Sequence, residues 1–156
     1  MFIRHILVAT DFSDRSRAAL RYAVGLAREL GAGIDVLHVI APPRKSELIM
    51  DAYLGRPMPR VDPGLVAEAE RRLERFVHEV PHEGVKLGRL VEPGDPAATI
   101  VRMATELPAD LIVIGTHART GVAELMLGSV AHRVITVASC PVVTLRGDEP
   151  GLPTGA

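Results

Sequence analysis

The sequence predicts an α/β domain built on a single five-stranded parallel sheet, doubly wound with helices on both faces. Short apolar runs alternate along the chain with segments whose apolar residues recur at helical spacing. The predicted order is β-α-β-loop-α-β-α-β-α-β, as in flavodoxin-like and Rossmann-like folds. Ligands of such sheets lie beyond the carboxyl ends of the strands, where the strand order reverses. In the common order 2-1-3-4-5 that point is beside the first strand.

The first third of the chain supplies two strands and one helix. Residues 3–10 form a continuous apolar run, which is typical of a strand buried on both faces. Ser13 is a candidate N-cap for the helix that follows, and Gly31 is positioned to end that helix. Residues 34–40 give the second strand, which Pro42 breaks.

An irregular segment and a charged helix come next. Residues 42–62 predict a surface loop, with a helical turn around residues 47–53. Asp62 and Pro63 then provide an N-cap and a first-turn proline. Arginines in this helix alternate with glutamates, which indicates a solvated, ion-paired face rather than a nucleic-acid surface.

The second half predicts three more strands. Residues 85–91 alternate apolar and polar positions, as an edge strand does. Asp95 and Pro96 start another helix, residues 111–115 form the fourth strand, and a helix over 125–138 precedes the last strand at 141–145. Residues 1–146 therefore form one domain, and residues 147–156, rich in Gly and Pro, predict a flexible tail.

Composition excludes several classes of protein. The 156 residues are 47% hydrophobic and 3% aromatic, with a net charge of −1, so no basic footprint for nucleic acid is present. No apolar stretch approaches the roughly 18 residues of a membrane span, and residues 1–10 fit a strand better than a leader. The single cysteine, Cys140, suits a reducing cytosol, so we expect a cytoplasmic protein.

The candidate site is the glycine loop that follows the fourth strand. Gly115 opens the loop, and Gly128 and Ser129 precede a helix. A strand, loop and helix in this order aim backbone N–H groups and a helix dipole at one point, which favours a phosphate. Arg119 can add a guanidinium. Asp11, at the end of the first strand, can accept from a ribose or base or help to hold a metal; the alternative for Asp11 and Ser13 is helix capping.

Other chemistries lack their residues. The phosphate motifs G-x-x-x-x-G-K-[ST] and G-x-G-x-x-G are absent. Ser129 and His132 have helical spacing but no evident carboxylate to orient the imidazole, so we expect no catalytic residues and slow or no hydrolysis of a bound nucleotide. The histidines and the cysteine show no metal-ligand spacing, so Mg²⁺ would arrive on nucleotide phosphates.

The chain resembles the universal stress protein family of the UspA type. The family signature G-x-x-G, nine residues, then G-[ST] corresponds here to Gly115 to Ala118, nine residues, then Gly128 and Ser129. Residues 6–13 and 140–143 also resemble sequence motifs of the family, and the similarity spans residues 2–146.

This resemblance implies a nucleotide-binding α-hydrolase type of fold that binds ATP, with Mg²⁺, as a homodimer active in stress response or signalling. It implies nucleotide contacts at Ala9, Thr10, Asp11, Val39, Gly115, Thr116, His117, Ala118, Arg119, Gly128, Ser129 and Val130. It also implies antiparallel pairing of two copies through Val142, Val143, Thr144 and Leu145. That strand would otherwise be an exposed apolar edge. No nucleic-acid or membrane partner is expected.

One departure from the signature leaves an alternative open. Ala118 replaces the second glycine, and its methyl group would weaken binding if that position needs a positive φ or close phosphate approach. The alternative is a dimer that binds no nucleotide and acts as an interaction module. A third class, a phosphoacceptor or flavin carrier on a flavodoxin-like fold, lacks its lysine and its aromatic loops.

Overall fold

A computed structural model describes residues 2–42, 54, 61–116 and 127–146. Within those ranges five parallel strands and four helices form a single α/β unit. The elements are β1 His5–Thr10, α1 Asp14–Leu30, β2 Gly33–Ile40, α2 Pro63–His78, β3 Leu87–Pro93, α3 Pro96–Glu106, β4 Leu111–Gly115, α4 Ser129–Val137 and β5 Val142–Leu145.

The strand order is β3-β2-β1-β4-β5, and every neighbouring pair is parallel. The order 2-1-3-4-5 is therefore wrong, although the reversal still lies beside β1, between β1 and β4. Burial explains the difference. Four of the five β4 residues are buried, as suits a strand next to the centre, whereas no residue of β3 is fully buried. The prediction that β3 is an edge strand is confirmed.

The sheet separates two apolar layers of Val, Ile, Leu and Ala. Alternate residues of β1 serve the two layers: Ile6 and Val8 pack with α1 and α2, and Leu7 packs with α3 and α4. The first layer includes Leu20 and Phe76. Burial on both faces explains why the central strands are continuously apolar in the sequence.

The predicted caps are confirmed for three helices. The Ser13 side chain accepts from the Ser16 amide, and Gly31 ends α1 in the left-handed conformation with φ 66°. Asp62 caps α2, where its side chain accepts from the Gly64 amide, and Asp95 caps α3. Side chains therefore satisfy first-turn N–H groups in α1, α2 and α3.

Three predicted starts move by two residues or more. β1 begins at His5 rather than at residue 3. β3 begins at Leu87 because Val85 lies in a turn, where its amide donates to the His82 carbonyl oxygen. α4 begins at Ser129 because Gly128 is extended, with ψ 151°, so the predicted start at residue 125 is wrong. Most of the predicted loop over 42–62 and all of the tail over 147–156 lie outside the described residues, and the domain limits stay predictions.

The amino-terminal end of the sheet is tied together by polar side chains. The His5 ring contacts the Asp35 carboxylate through Nε2 at 2.7 Å and the Leu107 carbonyl oxygen through Nδ1 at 2.6 Å. Asp110 accepts from the amides of Arg4 and His5. These contacts join β1, β2 and the α3–β4 turn at the end of the sheet opposite the predicted site.

No helix in the described part of the chain is long and apolar enough to cross a bilayer.

Candidate functional site

A cavity of about 640 Å³ lies at the carboxyl ends of the strands, where the strand order reverses. Its volume falls within the range of small-molecule sites, about 300–1,000 Å³. Its lining residues are Ala9, Thr10, Asp11, Ser16, Leu37, His38, Val39, Pro96, Ile100, Ile114, Gly115, Leu127, Gly128, Ser129, Val130 and Ala131.

Eight of the twelve predicted nucleotide contacts line this cavity: Ala9, Thr10, Asp11, Val39, Gly115, Gly128, Ser129 and Val130. Thr116 lies next to it but is buried, and its amide donates to the Leu145 carbonyl oxygen at 2.8 Å. The other three, His117, Ala118 and Arg119, lie outside the described residues. Segments distant in sequence therefore meet at one place, as the sequence predicts.

Apart from Val39, the apolar wall is the part of the cavity that the sequence did not reveal. Pro96 and Ile100 come from the first turns of α3, and Leu37 and Ile114 come from β2 and β4. The spacing of Pro96 and Ile100 places them on one helix face. That spacing also fits plain core packing, because only the strand order shows which helix lies over the cavity.

The capping question at the start of α1 is answered by its hydrogen bonds. Ser13 caps the helix, whereas Asp11 accepts from the Ser13 amide at 3.0 Å and forms an Asx turn. Between them Phe12 has φ 65°, a conformation that is costly for a residue other than glycine. Its amide donates to Thr10 Oγ1 at 3.0 Å, which stabilises the turn that holds Asp11 at the rim.

Aromatic and cationic side chains pack around Phe12. The His38 ring lies 4.2 Å from the Phe12 ring, and Phe76 meets Phe12 edge-on at 5.7 Å. The guanidinium of Arg72 lies 4.4 Å from the centre of the Phe12 ring. Phe12 is thus packed on several sides, and these contacts offset the strain of its left-handed backbone.

His38 is held in its neutral form by its surroundings. Burial lowers the pKa of His38, and the hydrogen bond to the Thr10 carbonyl oxygen, 2.9 Å from Nδ1, opposes that shift. The neutral ring therefore donates from Nδ1. The interpretation of His38 as a strand residue with a satisfied ring is confirmed.

Gly115 is required by close packing rather than by a turn conformation. A Cβ built at Gly115 would lie 2.7 Å from the backbone carbon of Arg15 and 2.9 Å from the Ser16 amide nitrogen. The first turn of α1 thus lies directly on the end of β4. Arg15 Nη1 also donates to the Thr116 carbonyl oxygen at 3.1 Å. The first turn of α1 therefore holds Gly115 and Thr116, the residues from which the glycine loop begins, in place.

The start of α4 differs from the other helix starts. Gly128 is its N-cap and makes no side-chain cap hydrogen bond, whereas α1, α2 and α3 are each capped by a side chain. Among the described residues, no N-cap side chain therefore occupies the first-turn amides of α4 where Gly128, Ser129 and Val130 line the cavity. Among the described residues no group of three or more His, Cys, Asp or Glu side chains is placed to hold a metal ion.

A family model described as the Universal stress protein family matches residues 2–146. The chain belongs to this family. YxiE, a universal stress protein of Bacillus subtilis, is 35% identical over 144 residues, which cover 90% of this chain and 97% of YxiE. The resemblance inferred from the sequence is confirmed.

Solved universal stress protein structures share the α/β fold. The structure of MJ0577 from Methanocaldococcus jannaschii matches with a TM-score of 0.75 at 26% identity, covering 96% of this chain and 100% of that one. A universal stress protein from Archaeoglobus fulgidus, solved in complex with dAMP, matches with a TM-score of 0.67 at 29% identity. That match covers 94% of this chain and 100% of the other.

Replacing Gly115 by alanine tests the contact between β4 and α1. The added methyl group meets backbone atoms, so we expect a loss of about 1–3 kcal/mol in the free energy of unfolding, measured by urea denaturation. Gly33→Ala is the matched control, because its Cβ would find its nearest neighbour at 3.7 Å. Equal losses of unfolding free energy in the two variants would show that close packing against α1 is not what requires glycine at position 115.

Replacing His38 by asparagine tests the neutral histidine. Because the folded pKa lies below the ordinary value of 6.5, the unfolded state takes up the proton first as the pH falls. The contribution of His38 to stability is therefore complete above that value and declines below it. His38→Asn should lack this decline in urea denaturation between pH 8 and pH 5. A difference between the two proteins that stays constant with pH would contradict the assignment.

Proposed function

We propose that the protein binds ATP with Mg²⁺ in this cavity and acts as a nucleotide-dependent stress-response or signalling dimer that hydrolyses ATP slowly or not at all. The observation that carries the proposal is the division of the cavity. One side is apolar, and the other carries the uncapped start of α4. An adenine nucleotide has the matching division between its base and its phosphates.

The base has an apolar wall available to it. Leu37, Val39, Ile100 and Ile114 line one side of the cavity, and most of their surface is already removed from water. A planar base placed there would bury its faces against aliphatic side chains, as ligands do in most small-molecule sites. Asp11, at the rim, would accept from a ribose hydroxyl.

The phosphates would bind at the start of α4. Backbone amides and the helix dipole favour an anion there, and Ser129 adds a hydroxyl. Arg119, outside the described residues, would add its guanidinium. Since no carboxylate cluster among the described residues fits a metal, Mg²⁺ would be held chiefly by the phosphates.

The A. fulgidus relative supports an adenine nucleotide as the ligand. It is 29% identical to this chain and was solved with dAMP. A base, a sugar and one phosphate are common to dAMP and ATP, so the likeness supports those three contacts. The triphosphate and its metal rest on the glycine loop and the start of α4 alone.

Slow hydrolysis follows from the polar groups around the cavity. Among the described lining residues Asp11 is the only carboxylate, and no lysine is present. Asp11 lies at the end of β1, where we place the ribose rather than the terminal phosphate. Among the described lining residues, no carboxylate is therefore placed to position water at the terminal phosphate, and no lysine is present to stabilise the transition state, so we expect slow or no hydrolysis.

Calorimetric titration of ATP with Mg²⁺ into wild type and Ala118→Gly tests the proposal. We expect the wild type to bind in the micromolar range, and the glycine variant to bind about tenfold more tightly if the methyl group strains the loop, since about 1.4 kcal/mol corresponds to tenfold. No binding by either protein at millimolar ATP would contradict the proposal. Binding by Ala118→Gly alone would instead favour the interaction module without nucleotide.

The dimer would form through the free edge of β5. The amides of Ile112 and Thr116 donate to the Pro141 and Leu145 carbonyl oxygens, so alternate residues of β5 face β4. The backbone N–H and C=O groups of Val142 and Thr144 consequently point outward. The strand is short and apolar, and it carries no proline or charge within its bounds.

The opposite edge of the sheet is protected against such pairing. The outward-facing residues of β3 include Arg89 and Pro93. A charged side chain and a residue without an N–H group both discourage edge-to-edge association. The contrast between the two edges supports pairing at β5. The cytoplasmic location that the single cysteine favours stays a prediction.

Thr144→Pro tests the dimer interface. Proline removes an outward N–H group without removing a hydrogen bond to β4, so the fold should survive while two copies lose a mutual hydrogen bond. We expect sedimentation velocity to show a dimer for wild type and a shift towards monomer for the variant. Arg89→Pro removes an outward N–H group from β3 and should leave the dimer intact. A monomeric wild type would refute the interface.

A further inference from the structure

We propose that Arg133 is a positioning residue for the ligand phosphates: it neutralises the Asp95 carboxylate beside the start of α4, so that an anion can bind there. The inference rests on the proposed function and adds a residue to the same site.

Arg133 and Asp95 form a two-point ion pair. Arg133 Nη1 donates to Asp95 Oδ1 at 2.9 Å, and Nη2 donates to Oδ2 at 2.8 Å. The two parallel hydrogen bonds fix the relative orientation of both groups, as only an arginine can do. They join α4 to the first turn of α3, across 38 residues of sequence.

Asp95 has a second partner that keeps it in place. It is the N-cap of α3, and its Oδ2 accepts from the Ala98 amide at 3.0 Å. Hydrogen bonds from Arg133 and from this amide lower the pKa of Asp95, so the carboxylate is ionised at neutral pH. Its neighbour Pro96 lines the cavity. The fold of α3 thus places a permanent negative charge beside a site intended for an anion.

The Asp95 charge lies close enough to the start of α4 to affect an anion bound there. Ser129 lines the cavity, and Arg133 follows it by four residues on the same helix face. Four residues correspond to about 6 Å along the helix axis. Asp95 directly precedes Pro96, another lining residue, and consecutive Cα atoms lie about 3.8 Å apart. Both members of the ion pair therefore lie within about one Debye length of the cavity lining, which is about 8 Å at physiological ionic strength. Without Arg133, Asp95 would repel a phosphate at the start of α4.

Arg102 provides a matched comparison. It binds Glu106 through Nη1 at 2.9 Å and Glu92 through Nη2 at 3.1 Å, so it is also an ion-paired surface arginine of the same layer. Among the described residues, neither Arg102 nor these partners line the cavity. Arg102 is therefore an ion-paired arginine like Arg133, but it does not lie beside the cavity.

The test is a ligand charge series. Adenosine, AMP and ATP with Mg²⁺ are titrated into wild type, Arg133→Gln, Arg133→Gln combined with Asp95→Asn, and Arg102→Gln. We expect Arg133→Gln to weaken ATP binding by about tenfold, AMP by less and adenosine not at all. Asparagine still caps a helix, so the double variant should recover most of the ATP affinity. The loss should shrink at high salt, and Arg102→Gln should match wild type.

Arg133→Lys keeps the positive charge but loses the two parallel hydrogen bonds. It is the control for the case in which Arg133→Gln weakens binding only because it folds poorly. It should retain ATP affinity within about threefold. Equal weakening for adenosine and ATP, or no recovery in the double variant, would overturn the role of Arg133 while leaving nucleotide binding intact. A wild type that binds none of the three ligands would overturn the proposed function and this inference together.

Discussion

The contact between the first turn of α1 and the end of β4 determines the geometry of the cavity. Only a residue without a side chain allows the Arg15 and Ser16 backbone to lie this close to position 115. The contact sets how far the Asp11 turn lies from the loop that leaves β4. Arg15 then holds the Thr116 carbonyl oxygen, and the Thr116 amide and hydroxyl both bond the end of β5. These contacts fix the end of β4 between the first turn of α1 and the end of β5.

Local signals in the sequence were sufficient for most of the fold. Caps such as Ser13 and Asp62 act on their own helix, so residue type and spacing reveal them. Strand order was not accessible in this way. β3 and β4 each follow a helix, and local patterns do not show beside which strand of the sheet each of them pairs. The wall contributed by Ile100 was missed for the same reason: it depends on which helix crosses over the cavity.

The four described helices divide into two kinds at their amino ends. α1, α2 and α3 have side-chain caps, whereas α4 has none. Glycine at the N-cap is less favourable than a side-chain cap by only a few tenths of a kcal/mol, and it leaves the backbone N–H groups of the first turn without a bond from the N-cap side chain. Gly128 and Ser129 line the cavity, and a recognisable loop pattern in the sequence was enough to predict that they lie there. The start of α4 was placed too early because a helical pattern alone does not show where the backbone becomes extended.

The polar ties at the other end of the sheet have a consequence for how such a domain diversifies. His5, Asp35 and Asp110 hold β1, β2 and the α3–β4 turn together without any group that lines the cavity. These ties stabilise the sheet through residues that do not line the cavity, at the opposite ends of the same strands. Substitutions at His5, Asp35 or Asp110 can change the stability of the domain while the residues that line the cavity stay the same. Stability can accordingly be adjusted at the ties without changing a residue that lines the cavity.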